Sequence, residues 1–481
     1  MTAFIARALW LDQADAPALA DVDVVPPPSR ADVCIVGGGF TGLWTAIHLR
    51  QADPSLDVVV VEAGTCGGQA SGRNGGFVMT AWSKFATLQK VCGTDDARFY
   101  AHTVERAVTD IGAFCDAQGI DAHFRQGGWL WTATNRAQID AWRYTVDQLA
   151  AVGGSPYELL ESDEVARRSG SPAHLAGIFE AAPAAIHPGR LVVGLADVAR
   201  RLGVTIVEGC SMTELRGGAT PEVITPRGSI RADKVVLAIS AWSTAIPEIR
   251  RSLIVIASDV IATDPIPRRL SAIGWAPGLS ISDSRRLVNY YRTTDDGRVA
   301  FGKGGGGLAL GSRISDAFNR SPAAARDVTA QFQRIYPMLS DVPIDRHWRG
   351  AVDYSATGLP FVGPLAKQPR ILVAAGFSGN GVGPSYVAAT ALTDLALERD
   401  VERVPESMRM PRGARMPPEP VRYLAGRVVR EAVRRKEDAE DLGRMPGRVL
   451  SMVASLDPTS FTDVGPVNGG NGASAPASAR R

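Results

Sequence analysis

Short apolar runs alternate with glycine-rich turns at the start of the chain. Residues 31–36 form an apolar run typical of a buried parallel strand, and residues 40–50 have the composition of the helix that follows it. A second strand is predicted over residues 57–61 and ends at Glu62. Strand, turn, helix and strand in this order predict a Rossmann-type βαβ unit.

The turn between the first strand and the first helix has the sequence Gly-Gly-Gly-Phe-Thr-Gly over residues 37–42. Gly37 permits the tight turn, Gly39 lets the backbone approach a pyrophosphate, and Gly42 lets the helix pack on the sheet. The Glu62 carboxylate, roughly 20 residues downstream, suits a pair of ribose hydroxyls. The pattern predicts a dinucleotide without choosing between NAD and FAD. The expected contacts are Gly37, Gly39, Phe40, Thr41, Gly42 and Glu62.

A loop too rich in glycine to form another helix follows Glu62. Residues 70–76 read Ala-Ser-Gly-Arg-Asn-Gly-Gly, which suits a backbone laid against a flat ligand. From about Ala31 to about Leu397 the chain resembles the D-amino-acid oxidase and glycine oxidase (DAO) family of flavoenzymes, in which a loop of this type lies along FAD. It is most similar to the γ-glutamylputrescine oxidase-like and aminophosphonate oxidoreductase branches. The resemblance implies FAD as the cofactor, with loop contacts from Ala63, Ser71, Gly72, Arg73, Asn74 and Gly75.

Two later strands are predicted to return to the nucleotide domain. A helix over residues 191–202 leads into a strand over residues 203–209, and another buried strand with its exit covers residues 234–242. In the resembling family the first strand passes beside the adenine and the second passes close to the FAD, which makes Val207 and Ala238 contact candidates. The alternative is that both segments are plain sheet core, because valine-rich strands are mostly core.

A second glycine turn occurs near residue 380. The strand predicted over residues 371–375 opens into Gly-Phe-Ser-Gly-Asn-Gly-Val-Gly over residues 376–383. We expect the N-terminus of the following helix to face the N1 and C2 carbonyl edge of the flavin, because its positive dipole end stabilises the negative charge of a reduced flavin. The expected contacts in this turn are Gly376, Gly379, Asn380, Gly381 and Val382.

The rest of the catalytic region predicts a second domain. Residues 95–118 and 137–152 have helical spacing, and residues 246–349 alternate between strands and turns, including the hairpin signal Asp296-Gly297. The fold class is α/β plus α+β, with a Rossmann-type FAD-binding domain and a discontinuous second domain built on an antiparallel sheet. The expected boundaries are residues 30–90, 185–245 and 350–400 for the FAD-binding domain, 91–184 and 246–349 for the substrate domain, 401–456 for a C-terminal helical extension and 457–481 for a disordered tail.

Candidate substrate residues lie on the strands of this second sheet, which in the resembling family forms the ceiling over the flavin. Lys303, Tyr291 and Arg349 are the catalytic candidates, and Arg292 is a further cation. Because side chains alternate along a strand, only one of Tyr290 and Tyr291 faces the cavity. The alternative is a solvated strand with aromatic cross-strand packing.

Departures from the relatives bear on the substrate and on cofactor attachment. The positions of the two carboxylate-binding arginines of glycine oxidase are Val352 and Gly379 here, which argues against a simple α-amino acid. Sarcosine oxidase relatives carry an oxygen-activating lysine on the strand that here reads Val-Ala-Phe, and whether Lys303 replaces it stays open. No cysteine follows Cys210 and no histidine occurs in residues 63–77, where covalently flavinylated relatives attach the cofactor. Non-covalent FAD is therefore expected.

The resemblance implies an FAD-dependent amine oxidoreductase acting on a CH–NH group. A hydride passes from the carbon to the flavin, and the resulting imine hydrolyses to an aldehyde and an amine. The favoured substrate is an aminophosphonate, for which Arg349, Lys303 and Arg292 are available cations. The alternatives are a polyamine derivative, an N-substituted amino acid, or a flavin-binding subunit without catalysis. Oxygen or another acceptor would take the electrons.

Composition narrows the partners and the compartment. The 52 basic and 50 acidic side chains give a net charge of +2, too small to imply a nucleic-acid partner. The five cysteines have no metal-ligand spacing and are expected to be reduced thiols, with no metal bound. No segment approaches the roughly 18 apolar residues of a membrane span, so we expect a cytoplasmic protein. Residues 420–441 predict a charged helix with a solvated or subunit-packing face.

Overall fold

The structure is a computed structural model that describes residues 7–410 and 416–457. Its strands are β1 (Arg30–Val36), β2 (Val58–Val61), β3 (Phe77–Val78), β4 (Trp129–Ala133), β5 (Tyr157–Leu160), β6 (Ala176–Glu180), β7 (Ala184–Ala185), β8 (Thr205–Val207), β9 (Glu214–Arg216), β10 (Glu222–Thr225), β11 (Gly228–Leu237), β12 (Leu253–Thr263), β13 (Ser280–Asp283), β14 (Asn289–Thr293), β15 (Val299–Leu308), β16 (Ile344–Ser355), β17 (Phe361–Leu365) and β18 (Gln368–Ala375). Its helices are α1 (Leu9–Gln13), α2 (Phe40–Ala52), α3 (Ala70–Arg73), α4 (Phe85–Cys92), α5 (Thr94–Gln118), α6 (Arg143–Ala150), α7 (Ser162–Ser169), α8 (Pro188–Arg201), α9 (Pro267–Ala272), α10 (Asp316–Asn319), α11 (Pro322–Ile335), α12 (Val382–Ala396), α13 (Val421–Asp441) and α14 (Arg448–Ala454). The expected tail lies, from residue 458 onward, outside the described residues.

The first sheet has the strand order β17-β18-β11-β1-β2-β8. β1 pairs in parallel with β2 and β11, and β11 pairs in parallel with β18. All four residues of β2 are buried, as expected for a parallel strand with both faces covered. β17 joins the edge in the antiparallel direction, while β9 and β10 extend β11 as an antiparallel ribbon. The βαβ unit predicted from the first glycine turn is therefore the centre of this sheet.

The second sheet has the strand order β16-β12-β15-β14-β13-β4-β6-β5. Its pairs are antiparallel except for β4 and β13, which run in parallel. The Asp296-Gly297 dipeptide turns β14 into β15, with Gly297 at a φ of +77°. The predicted hairpin is confirmed, and so is the fold class of a Rossmann-type sheet with a second, largely antiparallel sheet.

Helix α5 packs beside the first sheet. Its buried residues, from Ala97 to Cys115, belong to the same hydrophobic core as α2 and α12. Sequence analysis expected this helix in the second domain, but its apolar face extends the core of the nucleotide-binding unit. The division of the chain into domains at the stated boundaries stays a prediction.

The C-terminal helix α13, predicted as a charged helix with a solvated or subunit-packing face, buries one of its faces within the chain. Ala432, Val433 and Glu437 are buried, while Arg434 forms exposed ion pairs with Glu431 and Asp438. Glu437 accepts hydrogen bonds from the backbone N–H groups of residues 286 and 287, at 2.8 and 3.2 Å. In the described part of the chain no helix combines the length and the apolar character needed to cross a membrane.

Candidate active site

A cavity of about 520 Å³ lies between the carboxyl ends of the first sheet and the second sheet. The first sheet contributes the exits of β1, β2 and β11, at Val36, Val61 and Ala238. The second sheet contributes Ser258 on β12 and Tyr290 on β14. Ligands of open α/β sheets bind outside the carboxyl ends of the strands, so the cavity is where the sequence predicts the dinucleotide.

The first glycine turn forms a close-fitting cradle at one end of this cavity. Gly37 has a φ of +112°, and a Cβ there would collide with the carbonyl oxygen of Ala238. At Gly39 a Cβ would fall 2.8 Å from Oγ of Ser71. The same Oγ accepts a hydrogen bond from the backbone N–H of Phe40 at 2.9 Å. Bare backbone and a helix N-terminus suit a pyrophosphate at this position.

Glu62 stands at the end of β2, with its carboxylate held by the backbone. Its Oε2 accepts a hydrogen bond from the N–H of Gly38 at 2.7 Å, and its Oε1 accepts one from the N–H of Gly64 at 2.8 Å. Burial raises the pKa of this carboxyl, and the two hydrogen bonds act in the opposite direction. The carboxylate therefore fixes the glycine turn and lines the cavity where a ribose would lie.

The loop after Glu62 is braced from both sides. Arg73 donates from Nε to the carbonyl of Gly68 at 2.8 Å and from Nη1 to the carbonyl of Arg349 at 3.1 Å. The indole Nε1 of Trp10 donates to the carbonyl of Asn74 at 2.8 Å. The N-terminal helix α1 thus supports the cofactor loop. Sequence analysis missed this contact, because it joins residues that are far apart in the chain.

The second glycine turn lines the same cavity as the first turn. The N–H of Gly376 donates to Oδ2 of Asp353 at 2.7 Å, and Nδ2 of Asn380 donates to the carbonyl of Thr80 at 3.0 Å. Helix α12 begins directly after this turn, and Gly381 and Val382 at its start line the cavity. The N-terminus of α12 therefore points toward the cavity, as the sequence predicts.

Most of the cofactor contacts predicted from the sequence line this one cavity, namely Gly37, Gly39, Phe40, Thr41, Glu62, Ala63, Ser71, Arg73, Asn74, Gly75, Ala238, Gly379, Asn380, Gly381 and Val382. The other four lie behind its wall, namely Gly42, Gly72, Val207 and Gly376. Gly42 faces the carbonyl of Gly37, and Gly72 faces Gly67 and Leu11. The carbonyl of Val207 accepts the N–H of Glu62 at 2.9 Å, so this residue belongs to the sheet core.

The second sheet turns a hydroxyl-bearing face toward the cavity. Ser258 pairs with Gly304, and Gly302 pairs with Tyr290, so these four residues share one face of the sheet. The hydroxyls of Tyr290 and Ser258 are 2.7 Å apart and hydrogen bonded. A Cβ at Gly302 would collide with the Tyr290 ring, so the glycine leaves room for this tyrosine.

The three catalytic candidates lie on the opposite face of the sheet, which corrects the expectation from the sequence. Lys303 is the cross-strand partner of Asp259, and Asp259 is the cross-strand partner of Arg349. Each of them lies next to a residue of the cavity face along its own strand, so its side chain points to the other side of the sheet. Arg349 donates from Nε and Nη2 to the two oxygens of Asp259, each at 2.9 Å. Lys303 lies with its Nζ 3.5 Å from Oδ2 of Asp327.

Tyr291 is a core residue rather than a cavity residue. Its ring stacks on Phe301 at 4.7 Å between centroids, and its hydroxyl lies 2.6 Å from Nε2 of His174. Burial raises the pKa of the Tyr291 phenol well above its usual value. Of the two neighbouring tyrosines, Tyr290 is the one that faces the cavity.

Arg292 shares the cavity face of β14 but is engaged by the backbone. Its Nε donates to the carbonyl of Gly75 at 2.8 Å, and its Nη2 donates to the carbonyl of Ile186 at 2.7 Å. The guanidinium also lies 4.9 Å from the centre of the Trp10 ring. Arg292 therefore fastens the cofactor loop to the second sheet, and it does not line the cavity.

The residues of the cavity fit FAD. The bare backbone at Gly37 and Gly39 suits the pyrophosphate, and the Glu62 carboxylate suits a ribose. The loop of residues 70–76 and the start of α12 frame the remaining length of the cavity, where the flavin ring would lie. When bound, FAD accepts a hydride equivalent from the carbon next to the substrate nitrogen.

Comparison with known proteins agrees with this site. The family described as DAO, FAD dependent oxidoreductase, matches residues 32–395. Gamma-glutamylputrescine oxidoreductase of Escherichia coli is 29% identical over 395 residues, which cover 82% of this chain and 89% of that protein. The probable oxidoreductase OrdL of Rhizobium meliloti is 30% identical over 389 residues, covering 79% of this chain and 86% of that protein.

Solved structures share the fold. Glycine oxidase from Geobacillus kaustophilus superposes with a TM-score of 0.67 at 19% identity, covering 80% of this chain and all of that chain. L-proline dehydrogenase from P. horikoshii superposes with a TM-score of 0.64 at 18% identity, covering 79% of this chain and 98% of that chain. The chain belongs to the DAO family of FAD-dependent oxidoreductases, and it is an enzyme that uses FAD to oxidise the C–N bond of an amine.

Proposed function

We propose that the substrate is an extended amine of the polyamine-derivative class, rather than the aminophosphonate that the sequence favours. The observation that carries this proposal is the way the predicted cations are used. Within the described residues, Lys303, Arg292 and Arg349 all have protein partners and do not line the cavity. A phosphonate two carbons from the reacting nitrogen would therefore find none of these three cations beside it.

The groups that do face the reacting end are hydroxyls. Tyr290 and Ser258 form a hydrogen-bonded pair on the ceiling of the cavity. Burial raises the pKa of the Tyr290 phenol, so it keeps its proton at neutral pH. Such a pair offers both a donor and lone pairs, which suits an amine nitrogen that must be held in its unprotonated form.

The apolar part of the wall suits a substrate with a methylene chain. Phe77, Met79, Ile256 and Val288 line the cavity together with the hydroxyl pair. These side chains exclude water from the reacting carbon, which strengthens hydrogen bonding within the site. The oxidised product is an imine, which hydrolyses to an aldehyde and an amine.

The relatives favour the same class. The name of the Escherichia coli relative identifies γ-glutamylputrescine as its substrate, and the match covers most of both chains. We therefore take γ-glutamylputrescine as the first substrate to test. This molecule places a methylene chain next to the reacting amine and keeps its carboxylate at the far end.

Anaerobic stopped-flow reduction of the flavin tests the proposal. The enzyme is mixed separately with γ-glutamylputrescine, N-acetylputrescine, 2-aminoethylphosphonate and glycine, and the loss of flavin absorbance is followed. We expect the two putrescine derivatives to reduce the flavin at lower concentration than the other two amines. Fastest reduction by 2-aminoethylphosphonate would restore the aminophosphonate assignment, and no reduction by any of the four amines would remove the polyamine proposal.

A further inference from the structure

Strand β15 contains a glycine bulge at the edge of the cavity. Its register against β12 shifts from the Ser258–Gly304 pair to the Ala257–Gly307 pair, so Gly305 and Gly306 are extra residues on one strand. Gly304 and Gly305 both line the cavity. A bulge next to an active site changes the direction of the chain and leaves space beside it.

Helix α13 fills that space from outside the region that matches the family. A Cβ at Gly305 would collide with Nη2 of Arg430, and Gly305 has a φ of +83°. One turn earlier on the helix, a Cβ at Gly426 would fall 2.7 Å from Leu308 of the same strand. The family match ends at residue 395, so this helix lies outside the matched residues.

Arg430 differs from the other arginines of this helix. Its Nη2 is buried and has no hydrogen-bond partner, and within residues 7–410 and 416–457 the guanidinium forms no ion pair. Arg434, by contrast, is paired with Glu431 and Asp438, and Arg427 lies exposed with its guanidinium 5.8 Å from the centre of the Tyr423 ring. A buried donor without a hydrogen-bond partner is costly, and a bound anion would supply the missing acceptor.

Arg430 lies directly behind the wall of the cavity. Its Nη2 occupies the position that a Cβ of Gly305 would take, and Gly305 lines the cavity although Arg430 itself does not. Tyr354, which lines the cavity, lies close enough to Arg430 to interact with it electrostatically, as do Asp457 and Glu437. The two carboxylates favour the charged form of the guanidinium, whereas burial lowers its pKa.

The position of the helix is fixed by buried charges. Glu437 binds the backbone N–H groups of Arg286 and Leu287, which lead into the cavity residue Val288. Arg285 is hydrogen bonded to Asp441 at the end of the helix. The guanidinium of Arg430 is thus carried on a fixed element rather than on a mobile segment.

We propose that Arg430 of the C-terminal helix recognises an anionic group at the end of the substrate remote from the reacting amine, across the bulge at Gly305. This inference rests on the proposed amine oxidation and adds a specificity-determining residue to it. The planar guanidinium can donate two parallel hydrogen bonds to a carboxylate or a phosphonate. Both groups share this chemistry, and the experiment separates them.

The test compares Arg430→Gln, Arg430→Lys and the matched control Arg427→Gln in the FAD-loaded enzyme. The dissociation constant and the limiting rate of flavin reduction are measured for γ-glutamylputrescine, for N-acetylputrescine as the amide without a carboxylate, and for 2-aminoethylphosphonate. We expect Arg430→Gln to raise the dissociation constant of the carboxylate substrate by about tenfold or more. The limiting rate and the binding of N-acetylputrescine should stay unchanged, with Arg430→Lys intermediate and Arg427→Gln as wild type. A selective effect on 2-aminoethylphosphonate instead would identify a phosphonate.

A second measurement does not depend on turnover. Glutarate and ethylphosphonate, which cannot be oxidised, are titrated into the enzyme while the flavin spectrum is recorded. Saturable perturbation in wild type and its loss in Arg430→Gln support the anion site even if every amine fails as a substrate. Equal binding of both anions to wild type and Arg430→Gln, or equal weakening of N-acetylputrescine and γ-glutamylputrescine, would overturn the proposal.

Discussion

The carboxylate of Asp353 accepts a hydrogen bond from the backbone N–H of Gly376 at 2.7 Å and so joins the end of β16 to the second glycine turn. The N–H of Ser378 donates back to the carbonyl of Asp353 at 3.0 Å. The N–H of Ser355 donates to Oγ of Ser378 at 3.1 Å. Three hydrogen bonds therefore hold the turn that precedes α12 against the second sheet.

Asp353 makes the stability of the fold depend on pH. Burial raises the pKa of this carboxyl from an ordinary 3.8 to about 6, against the effect of its hydrogen bonds. Its protonated form therefore adds stability that is fully present below pH 3.8 and is lost as the pH rises through about 6. The shift corresponds to an upper bound on the order of 3 kcal/mol.

Comparison of wild type with Asp353→Asn isolates this contribution. The asparagine keeps an oxygen that can accept from Gly376 but cannot titrate. We expect the difference in unfolding free energy between the two proteins, measured with urea from pH 4 to pH 7, to change with pH in favour of the variant as the pH rises. A difference that is constant over this range would show that Asp353 does not titrate there.

Glu62→Ala should weaken FAD binding while the protein stays folded. The ribose loses a charged acceptor, and the N–H groups of Gly38 and Gly64 lose theirs. We expect a loss of about 1.5 to 3 kcal/mol, or roughly tenfold to a hundredfold in affinity. Equilibrium dialysis of FAD measures it, with circular dichroism as the check on folding. An unchanged affinity would leave Glu62 with a role only in the sheet.

Tyr290→Phe and Tyr291→Phe form a matched pair on opposite faces of one strand. Loss of the Tyr290 hydroxyl breaks the pair with Ser258 in the cavity, so we expect slower flavin reduction at full FAD occupancy. Loss of the Tyr291 hydroxyl removes its contact with His174 and should cost about 1 kcal/mol of stability without changing the reduction rate. The reverse pattern would place Tyr291 in the site.

The Arg349–Asp259 pair is structural, and its disruption should destabilise the enzyme. Asp259→Asn leaves a buried guanidinium without its bidentate partner, at an expected cost of about 3 to 5 kcal/mol. Asp341→Asn is the control, because Asp341 pairs with Arg269 on the surface and its loss should have a much smaller effect on stability. Urea unfolding of the FAD-loaded proteins measures both. Equal effects would argue that burial does not matter to the Arg349 pair.

The flavin should be released as free FAD on acid precipitation. No cysteine follows Cys210 and no histidine occurs in residues 63–77. Yellow supernatant with the spectrum and mass of FAD is the expected result. Flavin that stays with the precipitated protein would show a covalent link through another residue.

Much of the cofactor site could be predicted from the sequence, because it is built from local backbone. The turns at residues 37–42 and 376–383, the loop at residues 70–76 and the acid at Glu62 each depend on neighbouring residue types, and all of them line the cavity. Glycine spacing of this kind specifies a backbone path directly. The sequence also predicts the strand that forms β8, but the side chain of Val207 belongs to the sheet core rather than to the cofactor site.

The substrate face could not be predicted in the same way. The sequence predicts a hairpin at Asp296-Gly297 whose neighbouring side chains point to opposite faces, but a period of two does not say which set faces the flavin. Pairing of β12 with β15 and β16 makes that choice, and it turns Lys303 and Arg349 toward Asp259. The bulge at Gly305 depends on a shift in register that a single strand does not reveal.

The sequence by itself determined the resemblance to the family, the glycine cradle and the presence of a Rossmann-type sheet beside an antiparallel one, since these depend on local glycine patterns and apolar runs. The tertiary structure alone decided which side chains face the cavity, how Trp10 and Arg292 brace the cofactor loop, and how α13 brings Arg430 to the bulge. These features join residues from 64 to 217 positions apart. Their geometry is set by sheet register and helix docking, which depend on the whole fold rather than on neighbouring residues.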